Sequence, residues 1–246
     1  MLLGLCQLRP IAGDVAANLA THLRFLRAAA RYGADLAAFP ELSMTGYEPR
    51  LARPLAFAKD DARLAPLRAF VTASRIQALV GAPLCGVDKP RIGAAWLAIN
   101  GTTRWLGKQW LHDDEQPHFE AHPAASTTID VEANGAMRIG VAICYELSRD
   151  EHAACAFADG ATGYLASVAK HAQSVEAAHS RLPEISQQHN AMTWMVNCVG
   201  PCEGFVAAGG SAAWDRDGRT LASLPSDTEA ILLVDTATGA VRTAPA

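Results

Sequence analysis

The chain has no excess of positive charge, no long apolar run and no cysteine spacing of a redox or zinc motif. Each absence removes a class of function. With 21 Lys and Arg against 25 Asp and Glu the formal net charge is −4. No basic cluster offsets it, which argues against nucleic-acid binding by phosphate neutralisation. No apolar stretch approaches the roughly 20 residues of a membrane-spanning helix, so no membrane partner is expected. Met1-Leu2-Leu3-Gly4-Leu5-Cys6 is apolar, but it has no cationic lead and meets Gln7 and Arg9 almost at once. It reads as a first strand and not as a signal peptide. The six cysteines, Cys6, Cys85, Cys144, Cys155, Cys198 and Cys202, mostly sit in strand-like or helix-like apolar contexts. Reduced thiols and a cytoplasmic location are the expectation. Cys198-Val199-Gly200-Pro201-Cys202 has the wrong spacing for a redox pair, and no second pair accompanies it as a zinc site would require. No Ser- or Pro-rich linker and no repeat interrupts residues 1–246, so a single domain is expected.

Half the residues are hydrophobic, and they fall into strand-like runs alternating with amphipathic helical ones. Strands are expected at 2–7, 36–39, 77–81, 137–144, 164–168, 193–198, 210–215, 220–224 and 230–235. Helices are expected at 18–32, 64–74, 151–159 and 182–192. Asn100-Gly101 between two apolar runs marks a hairpin over 96–108. Such βα alternation with inserted hairpins is the pattern of a mixed α/β fold. In sheets of this kind ligands bind at the carboxyl ends of strands. Three such ends carry reactive groups: Phe39-Pro40-Glu41, Leu106-Gly107-Lys108 and Ile143-Cys144.

The three residue types are chemically complementary. A thiol with a free pKa of about 8.5 is mostly protonated at neutral pH and needs a base or a cation to activate it. Glu41, followed by Leu42-Ser43-Met44, stands in an apolar setting that raises a carboxyl pKa and suits a general base. Lys108, together with the backbone N–H after Cys144, is suited to holding a tetrahedral oxyanion. Taken singly, each has a plainer explanation: a core cysteine, a solvated loop acid, a surface lysine.

The order of these motifs resembles the nitrilase or carbon-nitrogen hydrolase superfamily over nearly the whole chain. Phe39-Pro40-Glu41-Leu42 with Thr45-Gly46-Tyr47 is similar to its glutamate motif, Gly107-Lys108-Gln109-Trp110-Leu111 to its lysine motif and Ile143-Cys144-Tyr145-Glu146 to its nucleophile motif. Gln7, Pro10, Gly13-Asp14 and Asn18 resemble its opening, and Gly209-Gly210-Ser211 with Asp217-Gly218 its late strand and turn. The resemblance implies a four-layer αββα sandwich and a cofactor-free, metal-free hydrolase. Such an enzyme cleaves a non-peptide C–N bond of a small amide or carbamoyl compound through a thioester, with water as co-substrate, and works as a homodimer or higher homo-oligomer. Glu41 would be the base and acid, Cys144 the nucleophile and Lys108 the oxyanion stabiliser. Glu115 matches the family's second glutamate, with Glu120 the competing assignment. Tyr47, Tyr145, Ser167 and Lys170 would position the substrate or the triad.

The chain also departs from the family. Arg149-Asp150-Glu151 stands where Arg and Phe-Pro are common, and Ala166-Ser167-Val168-Ala169-Lys170 replaces a frequent Asn-Trp-Pro. Lys170 there suits either an anionic substrate group or a plain surface position. Nitrilases usually carry Trp where this chain has Tyr145, which favours an amide over a nitrile. Two other readings compete with hydrolysis: a non-catalytic module on the same fold, and metal binding by the run from His112 to His122. In that run Pro117 and Pro123 disfavour a helix and no zinc-protease motif is formed, so it reads as a polar loop near the mouth of the site.

Overall fold

The computed structural model describes residues 1–133 and 136–246. In chain order its elements are β1 (Leu2–Gln7), α1 (Val15–Arg31), β2 (Leu36–Ala38), α2 (Ala52–Leu55), α3 (Ala65–Ser74), β3 (Gln77–Leu84), β4 (Arg91–Leu97), β5 (Thr103–Gly107), β6 (Thr128–Val131), β7 (Met137–Ile143), α4 (Asp150–Ala158), β8 (Gly163–Val168), α5 (Ala172–His189), β9 (Met192–Asn197), β10 (Val199–Cys202), β11 (Phe205–Ala208), β12 (Ala212–Trp214), β13 (Thr220–Ser223), β14 (Ala230–Asp235) and β15 (Val241–Ala244). They form one sheet in the order β15-β14-β1-β2-β3-β4-β5, a second in the order β13-β12-β9-β8-β7-β6, and a separate β10-β11 hairpin. The centre of each sheet is parallel: β1-β2-β3 in the first, β7-β8-β9 in the second.

Side-chain alternation along the strands produces the layers. Leu3, Leu5, Leu232 and Val234 of the first sheet meet Ile139, Val141, Ile143, Leu165, Trp194 and Val196 of the second in one core. The alternate residues face outward. Cys6, Ala37, Val80, Ile231 and Leu233 pack beneath α1 and α3, whereas Ala142, Tyr164, Ala166, Val168 and Met195 pack beneath α4 and α5. A period of two has thus buried both faces of each sheet, and the expected αββα sandwich is present. No helix among the described residues is long and apolar enough to cross a membrane.

The elements differ from expectation mainly at their ends. Helix α1 begins three residues before residue 18 because Asp14 caps it, accepting from Ala17 N at 3.0 Å. Helix α5 begins ten residues before residue 182 and runs through Pro183. Val175, Ala178, Leu182 and Ile185 recur on one face and are buried, and that packing holds the helix across the proline. Strand β3 extends three residues past 81, where it continues its pairing with β4 after β2 has ended. Strands β6, β10, β11 and β15 were not anticipated. They are four residues each, and β15 lies at a sheet edge with three of its residues exposed.

Candidate active site

Three strand ends meet where the two sheets face each other. Beyond β2, Phe39 N donates to Leu79 O at 2.9 Å and Met44 N to Gly81 O at 2.9 Å, folding residues 40–44 into a tight turn. Leu42 has φ of 52°, in the left-handed region. Buried side chains of α1 hold the turn from behind: Asn18 Nδ2 donates to Met44 O at 3.2 Å, and His22 Nε2 lies 2.9 Å from Ser43 Oγ. Burial lowers the His22 pKa to about 4, so its ring is neutral. Glu41 projects from this turn and is 1% exposed.

Lys108 follows β5 and is fully buried. Its Nζ donates to Glu41 Oε1 at 2.9 Å and to Glu115 Oε1 at 2.5 Å. Glu115 also accepts from Tyr47 Oη at 3.1 Å and, through Oε2, from His112 N at 2.8 Å. Burial alone would lower the Lys108 pKa, but Glu41, Glu115 and Cys144 more than offset it and hold the ammonium well above its usual value. Burial raises the Glu41 pKa against the pull of Lys108. Glu41 Oε2 is buried and has no hydrogen-bond partner.

Cys144 ends β7 with φ of 48°, a conformation that costs a non-glycine residue on the order of 1–3 kcal/mol and tends to occur at functional sites. Its thiol makes a weak contact with Ala169 O at 3.9 Å. Burial, then the charge of Glu41, push its pKa up to about 11, with Lys170 and Lys108 pulling the other way. The thiol is therefore protonated at rest. A 3₁₀ turn, Cys144–Ser148, follows, and N–H groups in the first turn of such a helix have no partner within it.

A cavity of about 160 Å³ opens at the cysteine, lined by Cys144, Tyr145, Tyr47, Glu115, Lys170 and Phe205 among others. The structure therefore gathers Glu41, Lys108, Cys144, Glu115, Tyr47, Tyr145 and Lys170 at one place. Two of the residues singled out lie off the cavity. Ser167 does not line the cavity: strand alternation turns it into the space between the sheets, where its Oγ donates to Phe39 O at 2.9 Å. Its effect is to tie β8 to the segment that carries Glu41. Glu120 lies away from Lys108. It accepts from the backbone N–H groups of Val87, Asp88 and Lys89 at 2.9–3.2 Å and pairs with Arg91, which brings its pKa down to about 2. The second glutamate at Lys108 is Glu115.

The residues from His112 to His122 do not converge. His112 pairs with Asp114 at 2.7 Å, and His122 lies over the bare Cα of Gly107. Among the described residues no three His, Cys, Asp or Glu side chains are grouped to hold a metal.

Glu146, two residues after Cys144, has a role that the nucleophile motif alone does not reveal. It is 1% exposed and accepts from Gln109 N at 2.6 Å and Ile143 N at 2.8 Å. It thereby clamps the segment after Lys108 to the segment that carries Cys144. Burial raises its pKa to about 7. Asn197 was also overlooked; its amide bonds both Lys170 N at 2.9 Å and Lys170 O at 3.0 Å, fixing the segment after β8. A signal for each lay in the sequence: a carboxylate two residues after the cysteine, and an amide at the end of an apolar strand.

The carbon-nitrogen hydrolase family profile matches residues 2–246. The chain belongs to the carbon-nitrogen hydrolase family. Its structure is similar to that of an amidase from Nesterenkonia sp. AN1, with a TM-score of 0.85, 24% identity, and coverage of 96% of this chain and 92% of that one. It is similar also to a cysteine-to-alanine variant of that amidase in complex with butyramide, at a TM-score of 0.83, 25% identity, and coverage of 96% and 90%. In another structure of the Nesterenkonia amidase, acrylamide has added at the active site cysteine. A glutamine-dependent NAD(+) synthetase from Rhodobacter capsulatus is 27% identical over 260 residues, covering 96% of this chain. The chain spans 43% of that relative's length.

Proposed function

We propose that this carbon-nitrogen hydrolase cleaves small carboxamides through a thioester on Cys144, with Glu41 as general base and acid and Lys108 as oxyanion donor. The observation that carries the reading is Glu41 Oε2, a buried carboxylate oxygen without a partner at the same site as a buried lysine and a strained cysteine. An unsatisfied buried acceptor is costly, and a substrate amide or a thiol proton satisfies it.

The steps follow from the groups present. Because the thiol pKa is about 11, the thiol proton moves to Glu41 as Sγ attacks the amide carbon. The C=O π pair goes to oxygen. The resulting oxyanion receives the third Nζ–H of Lys108, whose other two protons face Glu41 and Glu115, and the backbone N–H of Tyr145. Glu41 returns the proton to the amide nitrogen, the C–N bond breaks, and ammonia leaves. Water then gives a proton to Glu41 and adds to the thioester carbon. The C–S bond breaks, the acid departs, and the proton held by Glu41 returns to sulfur. Glu115, held by Tyr47 Oη and His112 N, keeps Lys108 in place throughout. On this reading residues 1–246 act as one catalytic domain, as a cytoplasmic homo-oligomer.

The test is ammonia release from short aliphatic amides, N-carbamoyl compounds and nitriles, with Cys144→Ala as control. Turnover of amides that is lost in a normally folded Cys144→Ala protein is the expected result. Turnover that survives the substitution would sink the assignment.

A further inference from the structure

We infer that the preferred substrate is a short amide whose acyl chain ends in a carboxylate, recognised by Lys170; this rests on the amidase reading above. The cavity at Cys144 contains the acidic residues Asp114 and Glu115, and both are engaged. Asp114 Oδ1 lies 2.7 Å from His112 Nδ1, and Glu115 is held by Lys108, Tyr47 and the His112 backbone. Lys108 is itself saturated on two sides by carboxylates. Lys170 also lines the cavity. Among the described residues its ammonium makes no ion pair and no hydrogen bond, whereas its backbone N–H and carbonyl are both fixed by Asn197. A half-buried cation on a pinned backbone, beside the nucleophile and without a counter-ion, is a site for an anion supplied by the ligand.

The surroundings agree with this. Lys170 immediately precedes His171, the N-cap of the 18-residue helix α5, which has no capping side chain and no acidic residue in its first turn. The partial positive charge of that helix end therefore adds to the lysine. Tyr47, Tyr145 and Phe205 line the same cavity and give it an apolar wall. The cavity is small, about 160 Å³, which suits a short acyl chain. Succinamate has this shape, with the amide at Cys144 and the carboxylate at Lys170. Butyramide is its neutral counterpart, bearing a methyl group where succinamate bears the carboxylate.

The experiment measures kcat and KM for succinamate and butyramide in the native enzyme, Lys170→Met and Lys170→Arg. A charge-assisted hydrogen bond is worth roughly ten- to a hundredfold in binding. The native enzyme should favour succinamate over butyramide in kcat/KM by at least about tenfold. Lys170→Met should collapse that ratio mainly through KM, and Lys170→Arg should restore most of it. A native enzyme without the preference, or a preference that survives Lys170→Met, overturns the inference while leaving the amidase reading intact. Equal losses on both amides in Lys170→Met also overturn it, because the lysine would then act on the thiol and not on the substrate. No turnover of either amide, with no other amide hydrolysed, removes the amidase reading and this inference with it.

Discussion

One ammonium stands between two buried carboxylates, so Lys108 decides the charge state of everything around it. Removing a partner from a buried ion pair strands charge and costs about 3–5 kcal/mol. Lys108→Met should therefore be destabilised by about that amount near neutral pH. The sign of the pH dependence follows from Glu41. Its folded pKa is already raised by burial, and losing the lysine raises it further. Its contribution to stability is then fullest below the unfolded carboxyl value and is lost as pH rises through the folded one. Chemical denaturation from acid to neutral pH should show the variant falling away from the native protein as pH increases. Lys108→Arg keeps the charge, but a planar guanidinium does not replace a compact point donor in a closed site; a near-native kcat in that variant would remove the oxyanion role. The thiol offers a separate check. With a pKa of about 11, alkylation of Cys144 by iodoacetamide should still be accelerating above pH 9, and a plateau near pH 7 would contradict the protonated resting state.

At the scale of elements, the site depends on strands and turns that approach one another very closely. A Cβ on Gly81 would lie 2.2 Å from Pro40 O and 2.5 Å from Leu42 N, so β3 can pass the Glu41 turn only because that residue has no side chain. Gly81→Ala should cost about 1–3 kcal/mol by overpacking and should depress kcat more than KM, since it displaces the base and not the binding wall. Glu146 clamps two segments in a pH-dependent way. Its folded pKa of about 7 stands above its ordinary 4.5, so its contribution to stability is fullest below pH 4.5 and is lost as pH rises through 7. Glu146→Gln should flatten that part of the pH–stability curve, read by thermal melts across pH 4.5–8, and should lower kcat by loosening the Cys144 turn. This is also the scale at which sequence reading succeeded and failed. The ends of β2, β5 and β7 were legible because Pro40 stops the first apolar run, and Gly107-Lys108 and Cys144 end the other two. The start of α5 was not, because its first ten residues bury only Val175 and Ala178 and present few apolar positions to reveal a period. The face that Ser167 occupies is not legible for a related reason. Its neighbours Val168 and Ala169 are both apolar, so the sequence does not say which face Ser167 occupies until the pairing of β8 with β7 and β9 fixes it.

Across the whole molecule, the two sheets are held together by a single apolar layer that contains Leu5, Leu79, Val141, Leu165 and Trp194. Leu165→Ala should cost about 2–5 kcal/mol, measured by urea unfolding. It should also reduce kcat, because Glu41 and Lys108 belong to one sheet and Cys144 to the other, and the layer sets their spacing. The resemblance in the sequence could announce this architecture because it draws on motifs scattered over the full length. It could not announce the cavity, whose walls come from segments far apart in the chain, such as Phe205 beside Tyr47.

The order of strands also bears on how the protein is made. Strand β1 is flanked by β2 on one side and by β14 on the other, so the sheet that carries the base and the lysine lacks a flank until residues 230–235 have been synthesised. A chain emerging from the ribosome exposes Cys144 about 100 residues before that sheet is complete, and domains generally fold as units. The thiol of the nascent chain therefore meets no assembled partner. On the proposed reading, hydrolysis starts only once β14 and β15 have closed the sheet, and a chain ending before residue 230 is expected to release no ammonia although it carries Glu41, Lys108 and Cys144.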